Sequence, residues 1–146
     1  MTVSAYKYMD EAFRKHDASY VKQLMQEQLI KWRRGSSITR IDRPTRLDKA
    51  RRLGYKAKQG FVVVRVRIRK GGARKPRPVS GRRPRALGVI RFTRAKSLGK
   101  IAEERVAKKY RNLKVLNSYE VWSDGRHHWC EVIMLDPHHP AVRSSL

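Results

Sequence analysis

Apolar residues alternate with arginines through the second half of residues 61–69. Val62, Val64, Val66 and Ile68 fall on one side of an extended backbone, and Arg65, Arg67 and Arg69 on the other. The pattern predicts a strand with one charged face. Such a face suits a sheet surface turned to water or a sheet laid against phosphates, and the cations that follow it favour the second. Helical spacing occurs nearer the start. Residues 5–15 favour helix; after a break near Asp17, the positions Val21, Leu24, Met25, Gln28, Leu29 and Trp32 form one stripe, which Gly35-Ser36-Ser37 ends. Asp17 or Ser19 can cap this second helix, because either side-chain oxygen can accept from amides of a first turn. Trp32, on the stripe, reads as a packing residue.

Residues 38–46 contain one proline and no extended apolar pattern, and read as extended chain. Thr45 or Asp48 then starts a short helix through Leu53, with Gly54 just past its end, where a left-handed backbone favours glycine. Farther on, Ser97 caps a helix running to about Tyr110. Leu98, Ile101, Ala102, Arg105 and Val106 follow its spacing, with Glu103 and Glu104 on the other side. Residues 113–122 are rich in β-branched, aromatic and aliphatic side chains and read as strand. Asp124-Gly125 signals a hairpin turn, residues 127–135 the returning strand, and Asp136-Pro137 its close. No internal repeat is evident. The expected fold is α+β: a small antiparallel sheet with packed helices and a long basic, extended central excursion. One domain spans 1–146, its folded body drawn from 1–30 and 95–146 and its central segment largely surface.

Charge changes this picture more than any other property. Residues 31–94 hold 23 of the 36 Lys and Arg but only two acids, Asp42 and Asp48, a formal +21 of the chain's +24. The other 82 residues balance 13 basic against 10 acidic groups, as an ordinary soluble domain does. Within the basic window, residues 70–88 carry four glycines, three prolines and seven Lys or Arg, and cannot build a core. Alone in solution this loop is expected to be flexible, and to order where a polyanion offsets the lost chain entropy. A compact surface holding so much like charge calls for a polyanionic partner, most commonly nucleic acid. Arginine dominates over lysine, and its planar fork holds two phosphate oxygens or stacks on a base, which favours irregular folded RNA over DNA. Tyr55, between Arg52 and Lys56, suits either base stacking or the core.

Catalytic constellations are missing. His127, His128, His138 and His139 lie near the single Cys130, but adjacent histidines on a strand point to opposite faces and no recognised zinc spacing is completed. Cys130 reads instead as a small apolar packing residue, and a lone cysteine excludes an intramolecular disulfide. A two-metal nuclease needs clustered carboxylates, whereas Asp48 suits a first helical turn and Asp42 a neighbouring arginine. Gly71-Gly72 lacks the Lys-Ser or Lys-Thr of a nucleotide-binding loop. The chain is therefore expected to be no enzyme and to need no cofactor or metal. It shows neither a signal-peptide core nor a run of about 18 apolar residues, so the cytoplasm is expected and a membrane is not.

One resemblance extends over most of the sequence. RPTRLDKARRLGYKAKQGFVVVRVRIRKGG at 43–72, IAEERVAKKYRNLKVLNSYEVWSDG at 101–125, EVIMLDPHHPAV at 131–142 and AYKYMDEAF from Ala5 resemble the archaeal and eukaryotic large-subunit ribosomal protein family called fifteen-e. GRRPR after KPRP in the central loop has the archaeal form. The family pattern usually continues into a further basic, glycine-rich segment beyond the point where this sequence stops.

The resemblance implies a structural constituent of the large ribosomal subunit, in the cytoplasm, that binds large-subunit rRNA. Neighbouring large-subunit proteins would be its other partners, and no homo-oligomer is expected. By matching positions, the RNA-contacting role falls on Arg43, Arg46, Lys49, Arg51, Arg52, Lys56 and Lys58 before the charged strand. It continues on Arg65, Arg67, Arg69, Lys70, Arg74, Lys75, Arg77, Arg82, Arg83 and Arg85, with Gly54 and Gly60 allowing close turns. A DNA-compacting or general nucleic-acid chaperone is the alternative from another class, and an RNA-modifying or RNA-cleaving enzyme the third.

Overall fold

Four antiparallel strands form one sheet in the order β1-β2-β4-β3, in a computed structural model that describes residues 4–72, 74–88 and 92–143. In chain order the elements are α1 (Ala5–Arg14), α2 (Val21–Arg34), β1 (Ile38–Ile41), α3 (Leu47–Arg52), β2 (Phe61–Arg69), α4 (Leu98–Lys109), β3 (Lys114–Ser123), β4 (His127–Leu135) and α5 (Pro140–Arg143). Single 3-10 turns occur at His16–Ala18 and Pro84–Ala86. Positions 73 and 89–91, inside the basic window, lie outside the described residues.

Strand alternation builds two cores on one sheet. Val64, Val66 and Ile68 of β2 join Cys130, Val132 and Met134 of β4 on one face, where Ala102 and Val106 of α4 cover them. On the other face Ile133, Tyr119 and Val121 meet Val21 and Met25 of α2 and Ala50 of α3. β4 is thus buried on both sides, from Trp129 through Leu135. Each large apolar side chain so enclosed contributes about 1.5–3 kcal/mol relative to exposure. Burial also raises the Cys130 thiol, to about 11, leaving it protonated and inert near neutral pH.

The hairpin forms as its residues dictate. Asp124 Oδ1 accepts from the amides of Arg126 (2.7 Å) and His127 (2.6 Å), which closes the turn before β4. Ser97 caps α4 by accepting from the Lys100 amide at 3.2 Å. Gly54 and Gly60 have φ of +94° and +88°, and at Gly60 an added Cβ would come within 2.5 Å of Val142 Cγ2. The close packing of α5 on this turn therefore requires glycine there.

The fold departs from the sequence reading in several places. Residues 38–41 are a true strand, not merely extended chain, with Ile38 and Ile41 half-buried and Thr39 and Arg40 exposed. Four residues are too few to show alternation clearly. The central window is also less superficial than expected, because β2 lies inside the sheet between β1 and β4. On α2 only Val21, Met25 and Leu29 are fully buried, while Leu24 and Gln28 face outward. Of the two cap candidates of α2, Ser19 accepts from the Val21 amide at 3.4 Å, although Tyr20 holds the cap position, and it also donates to the Ala12 carbonyl at 2.8 Å; Asp17 instead holds Lys22 at 2.7 Å. The short α5 had no sequence signal.

Candidate nucleic-acid interface

The charged side of β2 does not lie open to phosphates along its length, because α2 covers it. Arg65 sits across from Glu131 in the β2–β4 ladder, and Glu131 is completely buried. Its carboxylate accepts from Arg65 Nη2 (3.1 Å), the Thr45 amide (2.9 Å), the Thr45 hydroxyl and the Tyr119 hydroxyl. The Arg65 guanidinium also stacks 3.9 Å above the Trp32 ring. A carboxylate in this position would be costly alone, and five donor groups, two of them on the Arg65 guanidinium, make it tolerable. Burial, then the Glu131 charge and hydrogen bond, raise Tyr119 far above its ordinary value and keep it a donor. Thr45, offered by sequence as a helix start, thus anchors the chain entering α3. Arg67, one step toward the strand end, donates to the carbonyls of Trp32 and Arg33 at the close of α2.

A second internal network holds α1 to α3. Asp48 is buried in the first turn of α3 and takes Arg46 at 3.3 Å and Arg52 at 3.1 Å; both arginines also reach Asp10. Burial raises Asp10, but Arg52, Arg14 and Arg46 outweigh it and hold the carboxyl below its ordinary value. Arg46 lies 4.6 Å over the Phe13 ring. Arg51 donates to the Tyr6 hydroxyl. Asp42, by contrast, is exposed and makes no ion pair among the described residues.

The seventeen positions singled out by sequence therefore divide. Arg46, Arg52, Arg65 and Arg67 spend their guanidinium groups on internal acids or carbonyls, and Arg51 on Tyr6. Arg43, Lys56, Lys58, Arg69, Arg74, Lys75, Arg77, Arg82, Arg83 and Arg85 are exposed, and Lys49 and Lys70 half-buried. Of these, Arg43, Lys58, Arg69 and the six cations of 74–85 make no ion pair among the described residues. Tyr55 packs edge-on to Phe61 and belongs to the core.

Sequence reasoning passed over Lys114 and Arg126, both exposed. The Lys70 amide donates to the Arg126 carbonyl at 2.7 Å, so the hairpin turn stands beside the start of the excursion. That neighbourhood follows from β2 pairing with β4, which no local pattern announces. Among the described residues no three His, Cys, Asp or Glu side chains are gathered so as to hold a metal ion, and no helix is long and apolar enough to cross a membrane.

The result is a tightly knit α+β body whose connecting segments, 74–85 above all, carry exposed cations without an ion pair among the described residues. The ribosomal L15e family model, described as Ribosomal L15, matches residues 4–145. The chain belongs to this family, whose members have a structural role in the large subunit of the cytoplasmic ribosome.

Proposed function

We propose that this protein binds and stabilises large-subunit rRNA through the exposed Lys and Arg of residues 43–58 and 69–88, acting as a single copy without turnover. The reading rests chiefly on one observation: acids and carbonyls inside the body absorb Arg46, Arg52, Arg65 and Arg67, while the cations of 74–85 are exposed with no ion pair among the described residues. Such groups gain little from one another and much from releasing the counterions of a phosphate backbone. The family's structural role agrees with a binding protein that performs no chemistry. GRRPR after KPRP suggests the archaeal form of the family.

Crosslinking in cells, followed by sequencing of the attached RNA, tests the proposal. Large-subunit rRNA should be recovered, with crosslinked peptides from 43–58 and 69–88. Recovery of chromosomal DNA instead would favour the chaperone alternative and overturn this one.

A further inference from the structure

We infer that the groove between α1 and α2 receives an amphipathic helix of a neighbouring large-subunit protein. RNA binding through residues 43–58 and 69–88 does not call on this face, so the two readings stand or fall separately.

The groove is open because α1 leans on α3. Asp10 pairs with Arg46 and Arg52, and Arg51 donates to the Tyr6 hydroxyl, while α2 is tied back at the turn, where Ser19 donates to the Ala12 carbonyl at 2.8 Å. Between α1 and α2 lies a cleft of about 390 Å³, lined chiefly by Met9 and Phe13 of α1 and by Tyr20, Leu24, Met25 and Trp32 along α2. Its walls are apolar yet uncovered. No residue of α1 is fully buried, and Met9, Leu24 and Tyr20 are 40%, 49% and 68% exposed. A concave apolar surface rimmed by polar groups is the form that receives the apolar face of a partner helix. From the cap residue Tyr20 to Trp32, α2 rises about 18 Å at ~1.5 Å per residue, room for about three turns of a partner alongside it.

Charge decides what kind of partner fits. Residues 5–30 hold four basic and four acidic groups, in a chain of net +24. Arg14, Lys15 and Lys22 are already paired, with Asp10, Glu11 and Asp17. A phosphate backbone would find little to neutralise there. Two charges on the flank of the groove are left over, Glu27 and Lys31, exposed and with no ion pair among the described residues. They stand three and seven residues beyond Leu24, and hence on its side of α2. A helix lying in the groove would meet them in turn. It should therefore carry apolar residues at helical spacing, a basic residue opposite Glu27 and an acidic one, about a turn away, opposite Lys31. Opposite charges so placed set the register and exclude wrong partners more than they add affinity.

Photo-crosslinking in assembled large subunits tests the inference. A benzophenone-bearing residue replaces Tyr20 of the full chain or, in a second preparation, Leu24; both side chains are exposed, so neither replacement disturbs the core. Ile30 is the control position, exposed but six residues from Leu24 and so turned about 120° away from it. Subunits purified by sedimentation are irradiated, and the attached segment is identified by mass spectrometry. Positions 20 and 24 should both join one segment of another large-subunit protein, with apolar residues at helical spacing, and position 30 should not. Reversing the two flanking charges, Glu27→Lys/Lys31→Glu, should lower that yield roughly fivefold, and reversing the partner's two facing charges should restore it. Crosslinks to rRNA or to a second copy of this chain would overturn the inference. So would no crosslink from either position, a partner segment without that spacing, or a yield indifferent to the charge reversal.

Discussion

Arg65 and Arg69 point to the same side of the same strand, four residues apart, and face opposite fates. Arg65 meets the buried Glu131 across the ladder and the Trp32 ring above it; Arg69 meets His127 at the sheet's edge, beyond the cover of α2, and stays exposed. The same contrast holds between the body and the excursion. In the body an acid or a carbonyl waits for each inward arginine, whereas residues 70–88 contain no acid at all. Arginine is thus a structural residue where the register supplies a counter-charge, and is left to solvent where it supplies none.

The sharpest way to break this comparison is to remove each arginine in turn. Arg65→Ala leaves the Glu131 carboxylate buried without its cation and should cost about 3–5 kcal/mol in urea unfolding. Arg69→Ala should change stability by less than about 0.5 kcal/mol, as exposed substitutions do. Equal losses would mean that Arg65 is no more internal than Arg69.

Glycines extend the comparison at a smaller scale. Gly60→Ala adds a Cβ at 2.5 Å from Val142 to a left-handed backbone, and overpacking of this kind costs about 1–3 kcal/mol beyond the backbone strain. Gly72 has φ of +73° but open space around it, so Gly72→Ala should lose only the left-handed penalty, about 1–2 kcal/mol. Thermal unfolding of the two variants side by side checks the order. A larger loss at Gly72 would show that the excursion packs against the body.

Much of the fold was legible because local physics decided it. Asp124-Gly125 makes its turn from its own side chain and amides, Ser97 caps α4 unaided, and the alternation of β2 is long enough to be unambiguous. β1 escaped because four residues, two of them exposed, carry too little pattern. Leu24 looked like core because helical spacing gives the width of an apolar stripe but not which of its borders the neighbouring elements cover. The interface was legible as a sum of charge and not as a partition of it. Whether Arg65 or Arg69 is free depends on which strand lies beside β2 and in what register, and that is a long-range property. Glu131, the residue that claims Arg65, stands 66 positions away.

The central claim is that the excursion's uncompensated cations bind rRNA electrostatically. The most direct test measures the affinity of the full chain, and of Arg74→Ala/Arg77→Ala/Arg82→Ala/Arg83→Ala, for large-subunit rRNA across a salt series. With about 6–10 phosphate contacts, the parent should lose roughly three to five orders of magnitude in affinity between about 50 and 200 mM salt. The variant, with an unchanged unfolding curve, should show a log–log slope shallower by about 3, at ~0.7–0.9 for each phosphate that its missing arginines leave unneutralised. A flat response in the parent, or identical slopes in the two proteins, would contradict the account.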